Sequence, residues 1–137
     1  MEILGFGVDI VKNGRFKKFP MKKKKFNNKI FTINEIKHCK NIKKSQQNCL
    51  AKRFAAKESF VKALGTGFRK NIAYKDIEIL NDKYGKPFIK VNSKIKANIN
   101  TFFNVKNFKI FLSISDEKKY SIANVIISKK WILTKKK

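Results

Sequence analysis

Acidic residues are scarce. Nine Asp and Glu stand against 34 Lys and Arg in 137 residues, a formal net charge of +25. Such a field favours partners that are themselves acidic: nucleic acid, an anionic membrane or an acidic protein. Arginine is scarce as well, limited to Arg15, Arg53 and Arg69, so nearly all the positive charge is lysine. Lys, Asn, Ile and Phe are all plentiful and all have A/T-rich codons, so mutational drift alone is enough to produce much of this charge without selection for binding. Only two cysteines occur, Cys39 and Cys49. They have neither C-x-x-C spacing nor the density of a disulfide scaffold. His38 beside Cys39 lacks the further ligands that a metal site requires. Reduced thiols in a cytoplasmic protein are the expectation. No apolar run reaches membrane-spanning length, and Met1-Glu2 leads straight into a strand-like segment without the features of a secretory leader. There is no internal repeat, no low-complexity tract beyond a lysine run, and no linker long enough to divide the chain. Residues 1–137 therefore read as a single domain.

What is present is patterned. "ILGFGVDIV", 3 to 11, is β-branched with a period of two and predicts a strand. Leu4, Phe6, Val8 and Ile10 face one way; Ile3, Gly5, Gly7, Asp9 and Val11 face the other. The two glycines leave the second face open beside Asp9, as where a ligand or another backbone comes close. Asn13 to Lys25 is basic and reads as a short helix plus a loop, with Arg15, Lys17, Lys18 and Lys22 to Lys25. "TINE", 32 to 35, has capping-box spacing and starts a helix through about Lys40. Ser45 is placed to cap a long helix that ends near Leu64, with Gly65 as its stop. "KDIEIL", 75 to 80, and "FIKV", opened by Pro87, form a hairpin around the turn formers of "NDKYGKP". Residues 93 to 103 have helical spacing. "FKIFLSI" and "YSIANVII" form a second hairpin around "SDEKK". The fold class is α+β: an N-terminal strand, a long central helix, and two β-hairpins in a mainly antiparallel sheet.

Within the long helix, Leu50, Ala51, Phe54, Ala55, Val61 and Leu64 recur at helical spacing, and Glu58 shares the face of Phe54 and Val61. An unpaired buried carboxylate costs several kcal/mol. Either Glu58 reaches water at the edge of the stripe, or it pairs with Lys57 or Lys62, or it is half of a cation site. The last reading needs a second acid, and Asp9 is one.

Three segments carry a wider likeness: "GVDIV" with Asp9, "RFAAKESFVKALGTGF" with Glu58, and "DIEILNDKYGKP" with Lys86. With the final hairpin, in this order and spacing, they resemble the holo-acyl-carrier-protein synthase family, the small phosphopantetheinyl transferases, over nearly the whole chain. Before the last strand, many members have S-I-S-H. This sequence has "SISDEKKY", with Asp116 in place of that histidine, and is similar here to a branch with A-D-E-x-x-Y. A role held by the histidine does not pass to Asp116, which neither donates a proton at neutral pH nor attracts phosphate.

The resemblance implies a reaction. The 4′-phosphopantetheine arm of coenzyme A moves to a serine of apo-acyl carrier protein, giving the holo form and adenosine 3′,5′-bisphosphate, in support of fatty acid biosynthesis. It implies Mg²⁺ and a homotrimer with the site between neighbouring subunits. Asp9 and Glu58 are the expected metal ligands; Glu58 and Lys62 the expected catalytic pair, with Glu58 as base. Lys62, Gly65, Thr66 and Gly67 are expected to meet the pyrophosphate, and Lys62 offsets the unfavourable dipole of the helix end. Arg53 is expected at the adenosine 3′-phosphate, Lys57 as a weaker phosphate contact, and Lys86 at the nucleotide. Arg15 and nearby lysines, Lys22 to Lys25 among them, are expected to dock the acidic carrier protein. The alternative is a basic nucleic-acid-binding module, favoured by charge, Phe content and pI. Against it, the sequence has no stacking-platform motif, zinc pattern or recognition helix.

Overall fold

A computed structural model describes residues 1–17, 28–42, 45–69 and 71–131. Strand β1 (Ile3–Lys12) runs antiparallel to β5 (Tyr120–Lys129), which pairs on its other side with β4 (Phe108–Asp116), giving the order β1-β5-β4. The first hairpin, β2 (Ile77–Asn81) and β3 (Pro87–Val91), is a separate two-stranded sheet rather than part of the larger one. Among the described residues the helices with defined bounds are α1 (Ile33–Asn41), α2 (Gln46–Leu64) and α3 (Ser93–Phe102). Between Asn13 and Phe16 there is only a short 3-10 turn; Lys18 and the lysines at 22 to 25 lie outside the described residues.

The core forms around α2, which is buried on nearly all sides because the large sheet covers one flank and α1 with the small hairpin cover the other. From β5, Ala123, Val125 and Ile127 point into it, fully buried. Gly5 and Gly7 explain how close the helix comes. A Cβ on Gly5 would lie 1.9 Å from the carbonyl oxygen of Ala63, and one on Gly7 1.9 Å from that of Ser59. The space beside Asp9 that the glycines open is thus filled by the backbone of α2 and is not a ligand pocket. The Ser59 hydroxyl fixes the crossing by donating to the carbonyl of Ala55, 2.7 Å, or that of Ala123, 2.8 Å.

The expected capping box is present: Glu35 N–H donates to Thr32 Oγ1, and Thr32 N–H donates to the Glu35 carboxylate. Ser45 occupies the N-cap position of α2 but its side chain makes no capping bond; instead the Gln46 amide reaches back to the carbonyl of Lys40. Gly65, at φ 75°, ends the helix in the left-handed region. The cysteines are not reduced. The end of α1 and the first turn of α2 bring the Cα atoms of Cys39 and Cys49 to 5.5 Å, and the sulfurs are bonded.

Candidate active site

The close crossing of α2 over β1 sets Lys62 beside Asp9. Lys62 Nζ lies 2.9 Å from Asp9 Oδ1 and 3.0 Å from the carbonyl of Val8. The Asp9 side chain is 16% exposed and that of Lys62 is 54% exposed, so the carboxylate is sheltered while the cation can turn outward. One turn earlier on the helix, partly buried Glu58 accepts a 2.6 Å hydrogen bond from the hydroxyl of Tyr74 at Oε1. Glu58 therefore pairs with neither Lys57 nor Lys62.

Tyr74 is held from the side by rings, with centroids 3.9 Å from Phe68 and 5.9 Å from Phe54. Burial raises the phenol's pKa strongly, and the hydrogen bond and charge of Glu58 raise it further, with a contribution from Asp9; Arg15 acts the other way. The hydroxyl thus meets Glu58 by a direct hydrogen bond, while Asp9 and Arg15 act on it through their charge alone. Exposed Arg15 lies with its guanidinium carbon 5.0 Å from the centroid of the Phe54 ring, at the rim of this group.

As a donor set, two carboxylates without imidazole or thiolate suit Mg²⁺ when phosphate and water complete its shell. Among the described residues no group of three or more His, Cys, Asp and Glu could hold a metal ion by itself, so a metal on Asp9 and Glu58 would be one shared with substrate. Past α2, Gly65 and Gly67 both have positive φ, and Thr66 lines a cavity of about 180 Å³ with Leu64, Ile72 and α3.

Arg53 is elsewhere. It lies five residues before Glu58, about 140° around the helix, and is buried. Its Nη2 donates to Asn81 Oδ1 at 2.9 Å, Nη1 is shared between the carbonyl and sulfur of Cys49, and Nε has no partner. Burial lowers its pKa, partly offset by Glu35. It lines a second cavity, of about 250 Å³, together with His38, Lys52, Asn81, Gly85 and Asp116. Exposed Lys86 follows Gly85 in the turn, where its N–H donates to Asp82 Oδ1. Lys57 faces no site: its ammonium is fully buried on Glu35, at 2.8 Å, and on the carbonyls of Ile30 and Tyr74.

The family model described as the 4′-phosphopantetheinyl transferase superfamily matches residues 5–125. A holo-[acyl-carrier-protein] synthase of Pelagibacter ubique is 51% identical over 130 residues, 95% of this chain and all of that one. The chain belongs to the holo-acyl-carrier-protein synthase family. Another synthase, from Halothermothrix orenii, is 45% identical across 90% of this chain and 96% of its own. Solved synthases share the fold. One from Bacillus anthracis, in complex with CoA (3′,5′-ADP), superposes with a TM-score of 0.75 at 34% identity, over 95% of this chain and all of that one. One from Helicobacter pylori, in complex with coenzyme A, gives 0.72 at 30% identity, over 90% and 99%. The nucleic-acid alternative finds no support in these likenesses. The sequence reading singled out Asp9, Glu58 and Lys62 as candidates but passed over Tyr74, which reaches Glu58 from the loop after α2 and carries no motif of its own.

Proposed function

We propose that residues 1–137 act as one holo-acyl-carrier-protein synthase domain, transferring 4′-phosphopantetheine from coenzyme A to a serine of apo-acyl carrier protein. The observation that carries this reading is the 2.9 Å contact of Lys62 with Asp9 where α2 crosses β1, one helical turn from Glu58, in a chain of this family. A bond forms between the serine oxygen and the β-phosphorus of coenzyme A, and the anhydride bond to the α-phosphate breaks. The serine proton passes to Glu58, and adenosine 3′,5′-bisphosphate leaves with the negative charge.

Catalysis of this kind is chiefly positioning and charge neutralisation. Asp9 and Glu58 are the residues that would hold Mg²⁺, which when bound neutralises pyrophosphate charge. Tyr74 fixes the Glu58 carboxylate through Oε1. Lys62, mostly exposed, is free to leave Asp9 for the leaving phosphate. The turn at Gly65, Thr66 and Gly67 brings backbone close to the same phosphates. Arg53 and Lys86 serve the nucleotide, a role supported by the cavity that Arg53 shares with Gly85 and Pro87.

Arg53 and Glu58 point to different sides of α2, so a donor that meets both is best spanned between two copies. A homotrimer, with coenzyme A between subunits, fits this geometry. The outer face of the large sheet supports it: Phe6, Val8 and Ile10 are 60%, 41% and 62% exposed, beside Phe111 at 45%. The carrier docks through Arg15 at the rim. Its substrates would place the enzyme in the cytoplasm; among the described residues no helix is long and apolar enough to cross a membrane.

The test is to incubate the protein with coenzyme A, apo-acyl carrier protein and Mg²⁺ and to weigh the carrier by mass spectrometry. The carrier should gain the arm. Glu58→Gln should lower turnover by about 10²-fold or more with an unchanged circular dichroism spectrum. An unmodified carrier would remove the reading, and wild-type turnover in the Gln variant would remove the role of Glu58.

A further inference from the structure

Tyr74 is held at several points besides its hydroxyl. Its ring packs against Phe68 and Phe54. Its carbonyl accepts a 3.1 Å hydrogen bond from the buried ammonium of Lys57. It also opens a short 3-10 turn, Tyr74–Asp76, which Asp76 fixes by accepting the N–H of Ala73 at Oδ2, 2.8 Å. Ring, main chain and turn thus place the phenol without help from Glu58. The 2.6 Å bond to Glu58 Oε1 is made by a donor already in position, and a donor so fixed orients the carboxylate that accepts from it.

Glu58 has two oxygens with which to accept. Tyr74 engages Oε1, and among the described residues no hydrogen bond or ion pair engages Oε2. One oxygen is therefore taken by the phenol while the other remains for a cation. Cations differ in what they ask of a carboxylate. Mg²⁺ requires a near-ideal octahedron at about 2.0–2.1 Å, which one oxygen from each carboxylate satisfies. Ca²⁺ takes about six to eight oxygens at about 2.3–2.6 Å and readily accepts both oxygens of one carboxylate. A hydrogen bond that occupies Oε1 suits the first ion and hinders the second.

We propose that Tyr74 is a positioning residue that restricts Glu58 to ligation through one oxygen, and that it thereby makes this site select Mg²⁺ over Ca²⁺. The proposal rests on the reading of Asp9 and Glu58 as metal ligands, and it is measured as ion affinity, apart from turnover. Mn²⁺ is the probe. The full chain is loaded with Mn²⁺ and coenzyme A, without carrier protein, and free Mn²⁺ is followed by electron paramagnetic resonance as Mg²⁺ or Ca²⁺ is added. Tyr74→Phe keeps the ring and the main chain and removes only the hydroxyl, so its circular dichroism spectrum should match wild type. Its ratio of Mg²⁺ to Ca²⁺ affinity should fall by about tenfold, the scale for losing a partner that orients a metal ligand. A purely structural role for Tyr74 would weaken both ions alike and leave the ratio unmoved. In the transfer assay at fixed Mg²⁺, Ca²⁺ should inhibit Tyr74→Phe at about a tenth of the concentration that inhibits wild type. An unchanged ratio, or equal losses for both ions, would overturn the proposal while leaving the transferase reading intact. A wild type that binds no Mn²⁺ would overturn it together with the metal role of Asp9 and Glu58. A carrier that gains no arm, with the ion ratio shifted as described, would sink the transferase reading and leave the selectivity of Tyr74 standing.

Discussion

Lys57 and Glu58 are neighbours in the chain with opposite fates, and α2 decides which is which. A step of about 100° around the helix turns Lys57 toward α1 and Glu58 toward Tyr74. Lys57 becomes a fully buried ion pair with Glu35, whose Oε1 also accepts the N–H of Ile79. The pair stitches α1, α2 and β2 together. Its net worth against an apolar replacement is small, but breaking it is costly, because the surviving charge stays buried without a partner. Lys57→Met should therefore lower unfolding free energy by about 3–5 kcal/mol, read as a drop in the urea midpoint. The double variant Lys57→Met with Glu35→Gln should recover part of the loss. A single variant as stable as wild type would mean that Glu35 finds other compensation. Because the sequence places a lysine next to the proposed catalytic acid, Lys57 reads as a phosphate ligand; nothing along the chain signals that Glu35, a capping-box residue, takes it instead.

At the scale of elements, the contact of greatest consequence is the bare backbone of β1 against α2. It sets the distance at which Lys62 meets Asp9, so packing and the site are one problem. Gly7→Ala would thrust a methyl group into the carbonyl of Ser59, and a backbone atom cannot step aside as a flexible side chain would. The variant should be destabilised by about 3 kcal/mol, the upper end for overpacking, and should lose turnover as Lys62 and Asp9 are pushed apart. Chemical denaturation and the transfer assay together check this; an Ala variant with full stability and activity would refute the close crossing. Local signals predicted these elements well: the alternation of β1, the Thr32–Glu35 box, the Gly65 stop and Pro87 at the start of β3 all depend on neighbours in sequence. The acids Asp9 and Glu58 stand out as candidates for a related reason, since each sits at an odd place in an otherwise apolar pattern. What was not legible depends on what lies across from a residue. Periodicity shows that β1 has a glycine face but not that a helix fills it. Spacing of ten between Cys39 and Cys49 says nothing of two helix ends meeting, and Tyr74 becomes part of the site only because the loop after α2 folds back onto Phe54 and Phe68.

For the whole molecule, charge and apolar surface pull in opposite directions. The outward rows of the large sheet follow the strand register: Phe6 opposite Ile126 and Phe111 beyond it, then Ile10 opposite Ile122. Covering such a face with further copies removes apolar area from water. Each copy, however, has a formal charge of +25, and bringing three together concentrates like charge that water and salt must screen. The Debye length falls from about 10 Å at 0.1 M to about 3 Å at 1 M salt. Repulsion between subunits should therefore weaken across that range while the apolar contact persists. The expected result in analytical ultracentrifugation is a trimer that dissociates less as salt rises. Phe6→Asp should be monomeric at every salt concentration, since it places a carboxylate on the apolar face that the proposed trimer would cover, and it should lose transfer activity if coenzyme A is held between copies. The proposed docking of the carrier at Arg15 should respond to salt with the opposite sign, since attraction between a basic enzyme and an acidic partner is screened away. Activity measured at a fixed, low carrier concentration should then pass through a maximum with salt. Assembly limits the rising side and encounter limits the falling side. A monotonic fall with an unchanged trimer would show that apolar contact alone holds the subunits and that their mutual repulsion is already neutralised.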